Sequence, residues 1–268
     1  LVKLLDERGL MENTVIIFQA DHGYSKEEIA GGGGGSAGVY RGSKFSLFEG
    51  GVRVPTFVTW EGHIQADKVE DCLVTNIDWF PTLAELCGLT LPDRKLDGKS
   101  MLPLLQGKSD KGTHDTFFWQ SLGTSEHPQW AVRDGHWKLL HHPYEASPGE
   151  LTEEGFFLVD LEKDPSESVN LAASHPEVVQ RLFRKYREWI AEAGELGIPS
   201  ARMGTMAPLV TALLAASGPA TPSIAPTVPN SRSNIACSFS AQLAPMPNSN
   251  RPPERWSTVT ACRPRNVR

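Results

Sequence analysis

The segment Val15-Ile16-Ile17-Phe18-Gln19-Ala20-Asp21-His22-Gly23 decides the fold of the first part of the chain. Its β-branched and aromatic residues predict a strand over residues 14–20, and this strand ends abruptly at a carboxylate and an imidazole. Open α/β sheets place their ligand-binding groups beyond the ends of strands in the same way. We therefore expect an α/β fold in which Asp21 and His22 belong to a functional site.

The residues after this strand end are rich in glycine and carry a lysine. They include a glycine run at residues 31–35, the string Arg41-Gly42-Ser43-Lys44, and the string Glu49-Gly50-Gly51-Val52-Arg53-Val54-Pro55. Because glycine lets a backbone approach a ligand closely, the loop over residues 22–43 is predicted to bring Lys44 to the site. The ammonium group of a lysine offers an anion a compact charge with three donors.

The rest of the first 115 residues alternates helix and strand patterns. Helices are predicted over residues 1–8 and 78–88, and a second strand over residues 52–60, broken at Pro55. Asp78 is placed to cap the first backbone N–H groups of the second helix. This order of elements favours a largely parallel sheet. Glu49 and Arg53 lie four residues apart and are predicted to pair as structural residues.

From residue 116 the pattern changes to short strands, which predict a small antiparallel sheet. The predicted strands are at residues 116–119, 130–132, 137–141 and 156–160. Asp134-Gly135 is predicted to be a hairpin turn between two of them. A helix over residues 176–193 has an apolar face suited to covering this sheet.

The composition changes sharply near residue 195. The chain of 268 residues has a net charge of −6, yet Glu254 is the only acidic residue beyond Glu195, and that segment holds seven arginines and eleven of the twenty prolines. Such a sequence buries too little apolar surface to offset the entropy of ordering it, which predicts disorder. We expect a catalytic part at residues 1–115, a C-terminal subdomain at residues 116–195 and a disordered tail at residues 196–268.

Two function classes are disfavoured by these patterns. The apolar stretch at residues 207–216 is about half the roughly 20 residues that a membrane span needs. The arginines of the tail are scattered singly, without the dense basic patch expected of a nucleic-acid-binding segment. No signal peptide is recognisable at the start, and no Cys-x-x-Cys pair occurs, so the compartment stays open.

These motifs together resemble the sulfatase family of the alkaline-phosphatase-like superfamily. In that family an Asp-Asn-Gly or Asp-His-Gly triplet at a strand end supplies two metal ligands, and a Gly-x-Lys about twenty residues on supplies a lysine for the sulfate. The likeness extends over roughly residues 1–194 and includes the later strings Asp78-Trp79-Phe80-Pro81-Thr82-Leu83, Leu96-Asp97-Gly98-Lys99-Ser100 and Trp130-Ala131-Val132-Arg133-Asp134-Gly135. The resemblance implies a fragment of the alkaline-phosphatase-like sandwich, followed by the small antiparallel sheet with its helix.

The resemblance assigns roles to four residues. Asp21 and His22 would bind a divalent metal, which is usually calcium in the family. Lys44 would be the catalytic and sulfate-binding residue, and Arg41 a further substrate-binding residue. Taken alone, the Asp-His-Gly triplet also suits a strand-end turn, and a single lysine is most often a solvated surface residue. An imidazole suits softer metals than calcium, so the residues themselves leave the metal open.

The family's nucleophile has no counterpart in this sequence. It is a Cys or Ser in Cys/Ser-x-Pro-x-Arg, oxidised to formylglycine, upstream of the Asp-His-Gly triplet; in Cys262-Arg263-Pro264-Arg265-Asn266 an asparagine stands where the motif has arginine. We therefore expect the C-terminal part of a sulfatase of aryl or carbohydrate sulfate esters, without its N-terminal half and inactive by itself. A phosphate or phosphonate ester hydrolase of the same superfamily and a non-catalytic binding fragment remain alternatives. The resemblance allows an exported or periplasmic location.

Overall fold

The computed structural model of the protein describes residues 1–27, 31, 33–123, 128–195, 240–243 and 258–260. These residues form two compact units. The first contains Leu1–Phe117, Leu161–Ser168 and the two short C-terminal strands, and the second contains Phe118–Asp160 and residues 169–195. The division after Phe117 lies near the predicted boundary at residue 116, whereas Leu161–Ser168 belongs to the first unit. The assignment of these parts as domains stays a prediction.

The first unit combines short helices with one sheet. Its helices are α1 (Val2–Glu7), α2 (Glu49–Val52), α3 (Trp79–Leu86) and α4 (Leu102–Leu105); its strands are β1 (Ile16–Gln19), β2 (Arg53–Thr59) and β3 (Lys68–Val69), joined by the C-terminal strands Ser240–Leu243 and Thr258–Thr260. The two predicted helices and two predicted strands are confirmed with small shifts at their ends. One hydrophobic core cluster of this unit consists of Val58, Ile64, Val74, Met101, Leu104 and Leu105.

The prediction of a largely parallel sheet was wrong. β1 pairs with β2 in the antiparallel direction, from Ile16 opposite Thr59 to Gln19 opposite Thr56. A parallel pair needs a crossover connection, usually a helix that packs on the sheet. The described residues between β1 and β2 contain only the one-turn helix α2. The strand is also not broken at Pro55, whose carbonyl accepts a hydrogen bond from the Ala20 N–H at 3.1 Å.

Most of the predicted disordered tail lies outside the described residues. The exceptions are Ser240–Leu243, which pairs parallel to β2, and Thr258–Thr260, which pairs antiparallel to β2 and parallel to β3. In these two strands the structure differs from the prediction. An edge strand presents unpaired backbone N–H and C=O groups, which can pair with another segment of any side-chain composition. The amino-acid composition of the tail therefore does not predict this pairing.

The second unit is a four-stranded sheet covered by one helix, as predicted. The strands follow the order β4 (Thr116–Gly123), β5 (Pro128–Asp134), β6 (Trp137–His141) and β7 (Phe156–Asp160), with β5–β6 and β6–β7 antiparallel. The Asp134-Gly135 turn is confirmed, with Gly135 at φ +61°. Helix α5 (Pro176–Glu195) places Tyr186 on Trp130, with ring centroids 3.9 Å apart. Arg181 and Lys185 of α5 both donate hydrogen bonds to the Asp134 carboxylate.

None of the described helices has the length and apolar character of a membrane-spanning segment.

Candidate functional site

The predicted site residues lie where the chain leaves the β1–β2 pair. Beyond Ala20, the Gly23 N–H donates a hydrogen bond to the Gly51 carbonyl at 3.0 Å, and the Lys44 N–H donates one to the Tyr24 carbonyl at 2.9 Å. The strand end, the start of the loop and the segment containing Lys44 are therefore joined through the backbone.

Glycines make this close packing sterically feasible. A Cβ added to Gly23 would lie 2.0 Å from the Gly50 carbonyl oxygen, and one added to Gly50 would lie 2.4 Å from that of Gly42. A Cβ on Gly51 would lie 2.1 Å from the Ser46 carbonyl oxygen. These separations are far below a van der Waals contact, and the opposing atoms are backbone. The Glu-Gly-Gly string therefore lets the loop pack on α2, a role that the sequence alone did not reveal.

We expect Gly23→Ala to reduce the free energy of unfolding by about 1–3 kcal/mol, because the new methyl group must displace backbone. Chemical denaturation of the full chain measures this loss. Gly34→Ala is the matched control, since a Cβ there meets nothing within 4 Å. Equal stability of the two variants would contradict the packing role of Gly23.

The geometry of Asp21 and His22 suits two ligands of one cation. His22 Nδ1 lies 2.7 Å from the Gly23 carbonyl oxygen, so Nδ1–H donates to it and Nε2 carries the lone pair. That Nε2 atom is 3.4 Å from Asp21 Oδ2, and the Asp21 side chain is 85 % exposed. Histidine ligands in metal sites are commonly oriented by such a hydrogen bond to a backbone carbonyl.

Among the residues that the structure describes, no cluster of three or more histidine, cysteine or acidic side chains forms a complete metal site. As metal ligands, Asp21 and His22 would contribute one oxygen and one nitrogen donor. The two residues fit part of a coordination sphere and leave the choice of metal open.

Lys44 is engaged by an acidic residue that the sequence analysis did not single out. Its Nζ atom donates to Glu27 Oε2 at 2.7 Å, and the side chain of Ser25 donates to the same oxygen at 3.0 Å. The pKa of Glu27 lies below its ordinary value, chiefly because of the hydrogen bond from Lys44 and next because of the one from Ser25. Lys44 therefore lies beside a charged carboxylate.

Arg41 lies in a cluster of mainly structural contacts. Its Nη1 atom donates to the Glu167 carbonyl at 3.2 Å, and its guanidinium carbon is 4.2 Å from the centre of the Phe48 ring. Glu167 also accepts the backbone N–H of the buried Glu49 at 2.5 Å. The expected pairing of Glu49 with Arg53 is confirmed at 3.5 Å. A substrate contact for Arg41 stays a prediction.

Asp78 is the centre of a dense polar network in the first unit. Its carboxylate is fully buried and accepts hydrogen bonds from the Thr75 N–H, the Lys99 N–H and the Thr113 hydroxyl at 2.8, 2.8 and 2.6 Å. His114 Nε2 donates to it at 2.8 Å. The expectation that this carboxylate caps the first N–H groups of α3 was wrong. The carboxylate accepts the Thr75 N–H instead, in the capping box of the short 3-10 helix Asn76–Asp78 that precedes α3.

Burial alone would raise the pKa of Asp78. The hydrogen bonds from His114, Thr113 and the Lys99 backbone outweigh that effect and hold the pKa below its ordinary value. Asp78 is therefore a charged residue that holds segments of the first unit together.

Comparison with known proteins agrees with this fold and set of motifs. The family described as N-sulphoglucosamine sulphohydrolase, C-terminal, matches residues 37–192. Human arylsulfatase A is 37% identical over 199 residues, which cover 68% of this chain and 39% of the relative. The N-acetylgalactosamine-6-O-sulfatase of Bacteroides thetaiotaomicron is 32% identical over 197 residues, which cover 68% of this chain and 37% of the relative.

Solved structures give the same result. A Bacteroides thetaiotaomicron protein, solved in work on glycosaminoglycan metabolism, superposes with a TM-score of 0.56 at 29% identity, over 70% of this chain and 41% of the other. The fold and the strand-end motif thus define a mixed α/β protein of the alkaline-phosphatase-like superfamily. The chain belongs to the sulfatase family, which confirms the resemblance, and it spans about two-fifths of the length of these relatives.

Proposed function

We propose that this chain is the C-terminal part of a metal-assisted sulfatase that hydrolyses aryl or carbohydrate sulfate esters. The observation that carries this proposal is the placement of Lys44 and of the Asp21–His22 pair on one glycine-packed loop at the end of β1. Two candidate metal ligands and an ammonium group on one loop would suit a substrate with a strongly anionic transferred group.

Each residue has a separate role in this proposal. Lys44 Nζ neutralises the sulfate oxygens and the charge that develops on the leaving oxygen. Asp21 and His22 supply two ligands for a divalent cation, proposed to be calcium, which when bound polarises the sulfate oxygens. The Gly23 carbonyl holds the His22 ring in the tautomer whose Nε2 carries the lone pair. Arg41, on the same loop, is proposed to be a further substrate-binding residue.

The nucleophile is proposed to come from the N-terminal half of a complete sulfatase. Ester cleavage needs a nucleophile within about 3–3.5 Å of the sulfur, and the sequence of this chain lacks the motif that supplies it in the family. We therefore propose that the chain alone does not turn over sulfate esters.

The test is hydrolysis of nitrophenyl sulfate and of a panel of carbohydrate sulfates by a polypeptide of full sulfatase length that contains this chain. Matched phosphate esters are assayed beside them. Faster turnover of the phosphate esters would replace the sulfatase proposal by a phosphatase.

Asp21→Ala and His22→Ala, made in that full-length polypeptide, are each expected to weaken calcium binding by at least about 10–100-fold and to lower turnover with it, because a lost ligand affects both. Calorimetric titration with calcium and the sulfate-ester assay give the two readouts. Asp93→Ala, which removes an exposed carboxylate, is the control. Unchanged affinity in both variants would remove these residues from the metal site.

A further inference from the structure

The contact between Lys44 and Glu27 places an internal anion at the proposed sulfate-binding ammonium group. The distance of 2.7 Å is that of a charge-assisted hydrogen bond. The two side chains are partly shielded, with 27% of Lys44 and 41% of Glu27 exposed. The carboxylate of Glu27 thus takes a donor that a bound sulfate would also require.

The local backbone sets the position of Glu27. Its N–H donates to Ser25 Oγ at 3.2 Å, and the Ser25 hydroxyl donates back to the Glu27 carboxylate. Gly33 packs so closely on this turn that an added Cβ would lie 1.6 Å from the Ser25 carbonyl oxygen. Because Lys44 is itself tied to the Tyr24 carbonyl, both partners of the ion pair are anchored to the same loop.

We propose that Glu27 is an autoinhibitory anion that occupies Lys44 until a sulfate group displaces it, and that it lowers the affinity of the site for sulfate. This inference rests on the proposed function, in which Lys44 binds the sulfate. A carboxylate offers one negative charge in a fixed place, whereas a sulfate can approach all the donors of the ammonium group. The return of Glu27 to Lys44 after reaction would help release inorganic sulfate.

The size of the effect follows from the exposure of the pair. Partly exposed ion pairs contribute modestly to stability, so freeing Lys44 from its partner should raise sulfate affinity by about two- to fivefold. A fully buried pair would have a much larger effect.

The experiment titrates inorganic sulfate into the full chain by calorimetry, with the ionic strength kept constant by chloride. Glu27→Gln and Glu27→Ala are expected to bind sulfate about two- to fivefold more tightly than the unaltered chain. Glu27→Ala is included because the amide oxygen in Glu27→Gln can still accept a hydrogen bond from Lys44. Lys44→Gln is expected to lose sulfate binding, both in the unaltered chain and in combination with a Glu27 substitution. Glu7→Gln, which removes the same charge from the exposed Lys3–Glu7 pair, is the control and should bind like the unaltered chain.

The outcomes separate the inference from the proposed function. If Lys44→Gln loses sulfate binding but neither Glu27 variant gains it, the autoinhibitory role is wrong and the role of Lys44 stands. If Lys44→Gln binds sulfate as well as the unaltered chain, both are wrong. An equal gain in Glu7→Gln, or no binding by any variant, would also overturn the inference. Thermal melts of each variant exclude a loss of fold as the cause.

Discussion

Replacement of Lys44 by alanine, in a polypeptide of full sulfatase length that contains this chain, is expected to lower kcat/KM for nitrophenyl sulfate by about 10²–10³. This is the loss observed when one preorganised donor to a developing negative charge is removed. The backbone N–H of Lys44 donates to the Tyr24 carbonyl, which fixes this part of the loop near the strand end before substrate binds. Steady-state kinetics gives the change.

Two further variants sharpen this measurement. Lys44→Arg should also be poor, because a planar guanidinium does not replace a compact ammonium group in a loop packed as closely as this one. Lys3→Ala removes an exposed lysine from α1 and should retain full activity. Unimpaired turnover by Lys44→Ala would exclude Lys44 from the chemistry.

The local elements were predictable because their signals lie within a few residues of sequence. The strand that ends at Asp21, the Asp134-Gly135 turn and the α5 helix each have a periodic pattern or turn residues that fix them. The direction of β2 relative to β1 was not predictable in this way. It depends on how the intervening loop packs, and that packing comes from contacts such as Gly23 against Gly50.

The same distinction applies to the candidate site. The order and spacing of Asp21, His22 and Lys44 indicated one site, because a known family has these residue types in this pattern. Glu27 carried no such pattern, and its contact with Lys44 joins residues seventeen apart in sequence. The contact of Glu167 with the Glu49 backbone joins residues 118 apart in sequence. No periodicity or motif spacing records a contact of that kind.

The Asp78 network shows most clearly how much stability such non-local contacts can hold. The Asp78 carboxylate accepts from Thr75 in its own turn, from Lys99, and from the neighbouring residues Thr113 and His114, so it joins three segments of the first unit. Asp78→Asn would turn an amide N–H₂ group toward donors that now meet an acceptor. Because this leaves buried donors unpaired, the free energy of unfolding is expected to fall by about 3–5 kcal/mol.

The pH dependence of that loss identifies the carboxylate as its source. The pKa of Asp78 is lowered in the folded chain, so its contribution is complete above the unfolded value of about 4 and is lost as the pH falls through the folded value. The difference between the unaltered chain and Asp78→Asn should therefore be constant near neutral pH and shrink below about pH 4. Urea denaturation at several pH values measures it, with the exposed Asp93→Asn as the matched control. A difference that does not change as the pH falls would show that the charge of Asp78 is not what holds these segments together.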